Sequence, residues 1–188
     1  MKKIVRYFAC FAVIGMMMGR AEQASAQRTA SGQNSVAISA LLHGKSVGAE
    51  VFFEQYTLNG FWEAGVMGAD FSAPLSIGGD LRYWDLLAKG GYQFRVAATR
   101  GRGLNWHLGG GVLAGIEYLD PLRALPSYYD LGRNKVSFQY GLYARTVLEI
   151  FLGMRVAILM SGELPVGFGT CVSHFHPNVG LGLKFLFN

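Results

Sequence analysis

Residues 135–150 read KVSFQYGLYARTVLEI, and this stretch decides the fold class. One side of it is mostly apolar: Val136, Phe138, Tyr140, Leu142, Ala144, Thr146, Leu148 and Ile150. The other side mixes polar, charged and small residues: Lys135, Ser137, Gln139, Gly141, Tyr143, Arg145, Val147 and Glu149. Alternation with a period of two predicts a β-strand with one face in an apolar environment.

The same alternation recurs along the chain and predicts eight antiparallel strands. Three further long segments show it, at 84–96, 105–118 and 179–187, and four shorter ones complete the set: Ser35 to Leu42, Gly48 to Tyr56, Phe61 to Ala69, and Met154 to Leu164. Connections of two lengths alternate between these strands. Those at 58–60, 98–103 and 151–153 are short, whereas those at 73–81, 119–134 and 165–174 are longer, with a short one at 43–46. We therefore expect an all-β, up-and-down barrel.

Two kinds of barrel use this pattern, and they differ in which face is buried. A soluble lipocalin-like barrel lines its interior with the apolar face, whereas an outer-membrane barrel turns that face to lipid. Strands of 10 to 15 residues suit a tilted membrane span. Aromatic residues end the apolar rows, as Trp106 does with Tyr118 and Trp84 with Phe94, which is typical of the two membrane interfaces. These features favour the outer-membrane barrel, closed by pairing the first strand with the last.

The N-terminus has the order of a secretory signal peptide. Lys2, Lys3 and Arg6 precede an apolar stretch at 7–18, and Ala24-Ser25-Ala26 forms an A-x-A cleavage site. We expect a signal peptide at 1–26 and a single barrel domain at 27–188; the alternative is an N-terminal membrane anchor. Cleavage removes Cys10 and leaves Cys171 as the one thiol of the mature chain.

The basic charge of the chain belongs largely to this N-terminal segment. The 188 residues carry a formal net charge of +5, with 17 Lys and Arg against 12 Asp and Glu. Without residues 1–26 these counts become 13 and 11, a net of +2. The mature chain has no clustered basic stripe, which argues against direct contact with DNA.

The polar face of the predicted strands carries charges of both signs. Because eight strands enclose a space only wide enough for side chains, we expect a packed polar plug that neutralises itself by ion pairing. The charged residues assigned to this interior are Glu50, Glu54, Glu63, Lys89, Arg95, His107, Glu117, Arg145, Glu149, Arg155, Glu163 and Lys184.

The sequence contains only weak signals of a catalytic or metal-binding site. His174 and His176 are two residues apart and would share a face of a strand, as two metal ligands do, but no third ligand has a recognisable spacing. The sequence contains neither a G-x-S-x-G motif nor a P-loop. We therefore assign no catalytic, cofactor-binding or metal-binding residue and predict a protein that is not an enzyme and needs no cofactor.

From Leu104 onward the chain carries several Gly-rich and aromatic strand motifs: NWHLGGG at 105–111 with GIEY at 115–118, the stretch 140–148, RVAIL at 155–159, and FHPNVGLGLKF at 175–185. In these motifs the chain resembles the TraO family of conjugal-transfer proteins of conjugative transposons. The resemblance implies a component of the apparatus that moves DNA between cells. It carries over no catalytic residue.

The leading hypothesis is therefore an outer-membrane barrel of a Gram-negative cell with a structural role in a mating apparatus. Its expected partners are outer-membrane lipid and other conjugal-transfer proteins, with no small-molecule substrate. The alternative is an accessory outer-membrane barrel of unrelated function, in adhesion or envelope defence. A small-solute channel or a lipid-modifying enzyme is a third hypothesis.

Overall fold

The computed structural model describes residues 31–43, 46–74, 80–99, 103–119, 136–170, 175 and 177–187. The predicted signal peptide and the pair His174 and His176 lie outside these residues. No helix in the described part of the chain is long and apolar enough to cross a membrane.

In the part of the chain that the structure describes, eight strands form one closed barrel in chain order, and each strand runs antiparallel to both neighbours. This confirms the predicted fold class. The first and last strands pair from Asn34 with Phe187 to Leu42 with Val179, which confirms the predicted closure. The strands are β1 (Asn34–His43), β2 (Ser46–Tyr56), β3 (Gly60–Pro74), β4 (Asp80–Ala98), β5 (Leu104–Leu119), β6 (Val136–Phe151), β7 (Val156–Phe168) and β8 (Asn178–Phe187).

The barrel has two different ends. Connections of three to five residues follow β2, β4 and β6 at one end of the barrel, which we call the turn end and which also holds the start of β1 and the end of β8. The opposite end, where β1 ends and β2 begins, is the loop end. This arrangement follows from an even number of strands in an up-and-down order.

Strand β7 differs from its prediction at both ends. It begins at Val156, so that Arg155 lies in the preceding turn, and it continues through Pro165, which the sequence assigned to a loop. The last residue pair between β7 and β8 is Glu163 with Asn178. Pro165 therefore lies where β7 has lost its continuous pairing with β8, and proline is tolerated at such a strand edge.

The register of the strands fixes the width and tilt of the barrel. A line of paired residues that starts at Asp85 returns to β4 at Arg95, ten residues further (95 − 85). With about 3.3 Å per residue and about 4.8 Å between strands, this stagger gives a tilt of about 40°. Eight strands at this tilt leave room inside for side chains only. The line passes through Ala69, Gly48, Leu41, Gly180, Ser161, Val147 and His107.

The outer surface is apolar along the middle of the strands and aromatic near both ends. Trp84 and Tyr118 are register partners near the loop end, and the rings of Trp62 and Tyr92 lie 4.8 Å apart near the turn end. Trp84 and Phe94 are ten residues apart on β4, or about 25 Å along the barrel axis at this tilt. An apolar band of about 25 Å between aromatic girdles is the dimension of outer-membrane barrels.

The face assignment made from residues 135–150 is confirmed over the described residues 136–150. Leu142 is 60% exposed on the outside, whereas Gln139 and Arg145 are buried inside. Ile150 is only 7% exposed, but it pairs with Ile158, which lies between the inward residues Ala157 and Leu159, and so keeps the outward phase of Leu148.

Candidate functional site: the charged lumen

The interior of the barrel is lined by buried polar and charged side chains. Among the described residues, the buried carboxylates outnumber the buried lysine and arginine side chains by seven to three. The carboxylates are Glu50, Glu54, Glu63, Asp85, Glu117, Glu149 and Glu163, and the cations are Lys89, Arg145 and Lys184. Eight of these ten side chains, all except Asp85 and Glu117, form two networks at different depths, which we call the middle network and the lower network.

The middle network is centred on Lys89 and Arg145. Lys89 Nζ lies 2.5 Å from Glu163 Oε1 and 3.5 Å from Glu50 Oε2. Arg145 lies 2.6 Å from the other oxygen of Glu50 and 3.3 Å from Glu63 Oε2. Glu50 therefore joins the two cations, and ion pairs link five strands, β2, β3, β4, β6 and β7, through the inside of the barrel.

Two neutral side chains donate further hydrogen bonds to Glu63. Its Oε1 accepts hydrogen bonds from Tyr143 Oη at 2.8 Å and Gln93 Nε2 at 2.7 Å. The Tyr143 hydroxyl reaches this position because the facing wall is formed by glycine: a Cβ added at Gly91 would lie 2.7 Å from that hydroxyl. The small inward residues of the Gly-rich strands therefore make room for the large side chains that cross the lumen.

The lower network lies nearer the turn end and is centred on Lys184. Lys184 Nζ contacts carboxylate oxygens of both Glu54 and Glu149. His107 Nε2 lies 3.1 Å from Glu149 Oε2, and Tyr56 Oη donates to Glu149 Oε1 at 2.8 Å. One lysine thus bridges two carboxylates from different sides of the barrel.

Aromatic rings line both networks. The guanidinium of Arg145 lies 4.3 Å from the centroid of the Phe52 ring, and Lys184 Nζ lies 4.3 Å from that of Phe61. A cation over an aromatic face is stabilised by the quadrupole of the ring, and more so when water is excluded. The rings therefore compensate part of the desolvation of these two buried cations.

Apolar clusters lie at both ends of the networks. The cluster at the turn end contains Tyr56, Phe61, Phe151, Ala157 and Leu186. The larger cluster toward the loop end contains Leu41, Met67, Ala69, Phe71, Tyr83, Leu87, Leu113, Leu119 and Tyr143. The charged layers are thus enclosed between apolar layers, as expected of a plugged lumen.

A small cavity lies toward the loop end, lined in part by Met67, Asp85, Gln139 and Asn178. Its volume is about 10 Å³, which is at the lower limit for one water molecule. No group of three His, Cys, Asp or Glu side chains in the described ranges is arranged to hold a metal ion.

The structure brings ten of the twelve predicted interior residues into the lumen and places two elsewhere. Arg155 is exposed in the turn before β7, and Arg95 is only half-buried, with its Nη2 donating to the carbonyl of Leu58 in the turn between β2 and β3. Asp85 is buried in the lumen but is missing from the predicted set of interior charges. Its neighbours on β4, Trp84 and Leu86, are exposed on the outside, so the alternation itself indicates that Asp85 points inward. These three changes replace the expected balance of charges with an excess of carboxylates.

The closed eight-stranded sheet, the apolar outer band with its aromatic ends and the packed polar interior define the class of small outer-membrane β-barrels. Solved structures of this class share the fold at low sequence identity. OprG of Pseudomonas aeruginosa superposes with a TM-score of 0.58 at 10% identity, over 84% of this chain and 97% of that one. Neisserial surface protein A superposes with a TM-score of 0.52 at 12% identity, over 82% of this chain and 95% of that one. Ail, the attachment invasion locus protein of Yersinia pestis, superposes with a TM-score of 0.51 at 13% identity, over 84% of this chain and 100% of that one.

Sequence comparison identifies the family. Residues 79–187, more than half of the chain, match the family described as conjugative transposon protein TraO. The chain belongs to the TraO family, as the resemblance from Leu104 onward predicted. No curated protein matches the chain.

Proposed function

We propose that this protein is a structural, non-catalytic component of a mating apparatus and acts by assembly with other transfer proteins in the outer membrane of a Gram-negative cell. Membership in the TraO family supports the link to conjugation. The barrel fold and its apolar outer band support a membrane location. In this proposal residues 1–26 are a cleaved signal peptide and 27–188 form the barrel domain.

The filled lumen is the observation that favours a structural role over transport. Buried ion pairs tie strands on different sides of the barrel together, and apolar clusters lie above and below them. A side-chain network of this kind holds the wall in one shape. The expected result is a rigid closed cylinder that presents its two ends to partners, without a small-molecule substrate and without direct contact to DNA.

The orientation follows the rule for this class of barrel. Outer-membrane barrels have short turns on the periplasmic side and longer loops outside the cell. We therefore assign the turn end to the periplasm and the loop end to the outside.

The test is transfer of a conjugative element from donor cells that lack the gene. We expect transfer to be lost, restored by the full-length protein and by Leu142→Ile, and not restored by Leu142→Arg, which places a charge on the lipid face. Transfer at the normal frequency from cells without the gene would contradict the proposal.

Conductance of the purified barrel in a planar bilayer separates the structural role from a channel. The filled lumen predicts no steady single-channel current. A steady current that disappears when lumen side chains are enlarged would favour the small-solute channel instead.

A further inference from the structure

Three apolar side chains are exposed at the tips of the periplasmic turns. Leu58, between β2 and β3, is 76% exposed, and Leu152 and Met154, between β6 and β7, are 55% and 73% exposed. The two turns are four strands apart around the barrel, so these side chains stand on opposite sides of its turn end.

These side chains lie beyond the aromatic girdle. Leu58 precedes Trp62 by four residues, and Met154 follows Leu148, the register partner of Trp106, by six residues. Each strand residue adds about 2.5 Å along the axis at the tilt of this barrel, so the strand ends at Gly60 and Phe151 lie about 5 Å and about 7.5 Å past Trp62 and Leu148, and the turns lie beyond them. The hydrocarbon of the membrane therefore leaves these apolar groups uncovered.

Hydrogen bonds hold both turns in place. Thr57 N donates to Gly60 O at 2.8 Å, Arg95 N donates to Asn59 O at 2.7 Å, and the Arg95 side chain donates to the carbonyl of Leu58. In the other turn, Leu152 N donates to Val156 O at 3.0 Å. Apolar groups on turns that are already ordered lose little entropy on binding, which favours their use as anchors.

The charged side chains in the described part of this end have one sign. Arg155 is exposed beside Met154, and Arg95 supports the turn that carries Leu58. The described residues of the turn end, 31–33, 57–59, 99, 103 and 152–155, include no aspartate or glutamate. Apolar anchors beside positive charge alone, as these described residues have, are complementary to an acidic partner that also carries apolar side chains.

We infer that the turn end is a docking surface for an acidic segment of a periplasmic protein, in which apolar side chains of that segment pack on Leu58, Leu152 and Met154 while its carboxylates face Arg155 and Arg95. The inference rests on the proposed orientation, which puts this end in the periplasm. An anionic lipid headgroup is the competing occupant, and the experiment separates the two.

The test is site-specific photo-crosslinking in donor cells during mating. One crosslinker replaces Asn59, next to Leu58, and another replaces Gly153, where an added side chain meets open space. Leu142 provides the matched position in the lipid band. We expect residues 59 and 153 to give a protein adduct whose crosslinked peptide, identified by mass spectrometry, is acidic, and residue 142 to give lipid adducts only.

Substitutions of Arg155 and Leu58 test whether formation of the adduct depends on positive charge and on apolar contact. Arg155→Glu and Leu58→Ser should each lower the adduct yield about tenfold, the effect of losing about 1.4 kcal/mol of binding free energy. Arg155→Lys should keep it. Lipid adducts alone at residues 59 and 153, a crosslinked peptide without acidic residues, or an unchanged yield with Arg155→Glu would overturn the inference.

Fractionation and transfer assays on the same cells distinguish failure of the docking surface from failure of the proposed function. A barrel that fractionates with the outer membrane and supports transfer but gives no protein adduct refutes the docking surface alone. A barrel that is absent from the outer membrane refutes the proposed function.

Discussion

Lys184 on β8 and Glu149 on β6 form an ion pair inside the lumen although strand β7 lies between them. Lys184 also contacts Glu54 on β2, on the other side of β1. Strands that share no backbone hydrogen bonds are therefore joined through one ammonium group. A buried network of this kind depends on every member being present, because removing one partner leaves an uncompensated charge in a dry environment.

Lys184→Met is expected to destabilise the barrel strongly. It leaves Glu54 and Glu149 buried without their cation, and breaking a buried pair costs about 3 to 5 kcal/mol. Urea unfolding of the refolded barrel in lipid vesicles measures the loss. Adding Glu54→Gln and Glu149→Gln to the same chain should recover most of the stability; if the triple variant is no more stable than Lys184→Met, the loss is one of packing rather than of charge.

Leu142→Arg tests which face meets lipid. Leu142 is exposed near the middle of the outer band, where arginine costs about 2 to 4 kcal/mol. Gln139→Asn, on the lumen face of the same strand, should cost little. The measurement is the free energy of unfolding of the two variants. Equal losses at both positions would mean that the lipid face is assigned wrongly.

Gly91→Ala should destabilise the middle network. The added methyl group would clash with the carbonyl oxygen of Gly110 and lie 2.7 Å from the Tyr143 hydroxyl that binds Glu63, so both must shift, and overpacking of this kind costs about 1 to 3 kcal/mol. Gly153→Ala is the control, because a Cβ there meets open space. Thermal unfolding should show a lower midpoint for Gly91→Ala alone, and equal midpoints for the two variants would count against the close packing of Tyr143 on Gly91.

Removal of residues 185–188 should prevent closure of the barrel. The deletion takes away the pairs that Phe185, Leu186 and Phe187 make with β1, and it exposes a strand edge that hydrocarbon does not tolerate. We expect the truncated chain to lose heat-modifiable migration on gels and to be absent from the outer-membrane fraction. Normal recovery there, with an unchanged mobility shift, would contradict the requirement for closure.

The N-terminus of the mature protein is expected at Gln27. Cleavage after Ala24-Ser25-Ala26 would expose Gln27 as the first residue, either free or cyclised. N-terminal sequencing or mass spectrometry of protein extracted from membranes provides the measurement. Mature protein that still carries Met1 would rule out the signal peptide.

The alternation in residues 135–150 was sufficient to predict the strand and its lipid face because each side chain on a strand takes its face from its position alone. The ion pairs could not be predicted in this way. Arg145 meets Glu50 because the stagger of the barrel brings β6 and β2 to the same depth, and stagger is a property of the closed sheet. Arg155 was assigned to the interior because the prediction began β7 two residues too early, and a strand boundary is poorly marked where apolar residues continue into the turn.

The separation of Trp84 and Phe94 also bears on the thickness of the bilayer that suits this barrel. An apolar band of about 25 Å is shorter than the hydrocarbon core of about 30 Å in an average membrane, and the bacterial outer membrane is thinner than average. In a thicker bilayer the lipid chains must compress around the barrel, at a cost that neighbouring barrels reduce by sharing their boundary lipid. Hydrophobic mismatch would then favour both retention in a thin membrane and clustering wherever the membrane is thick.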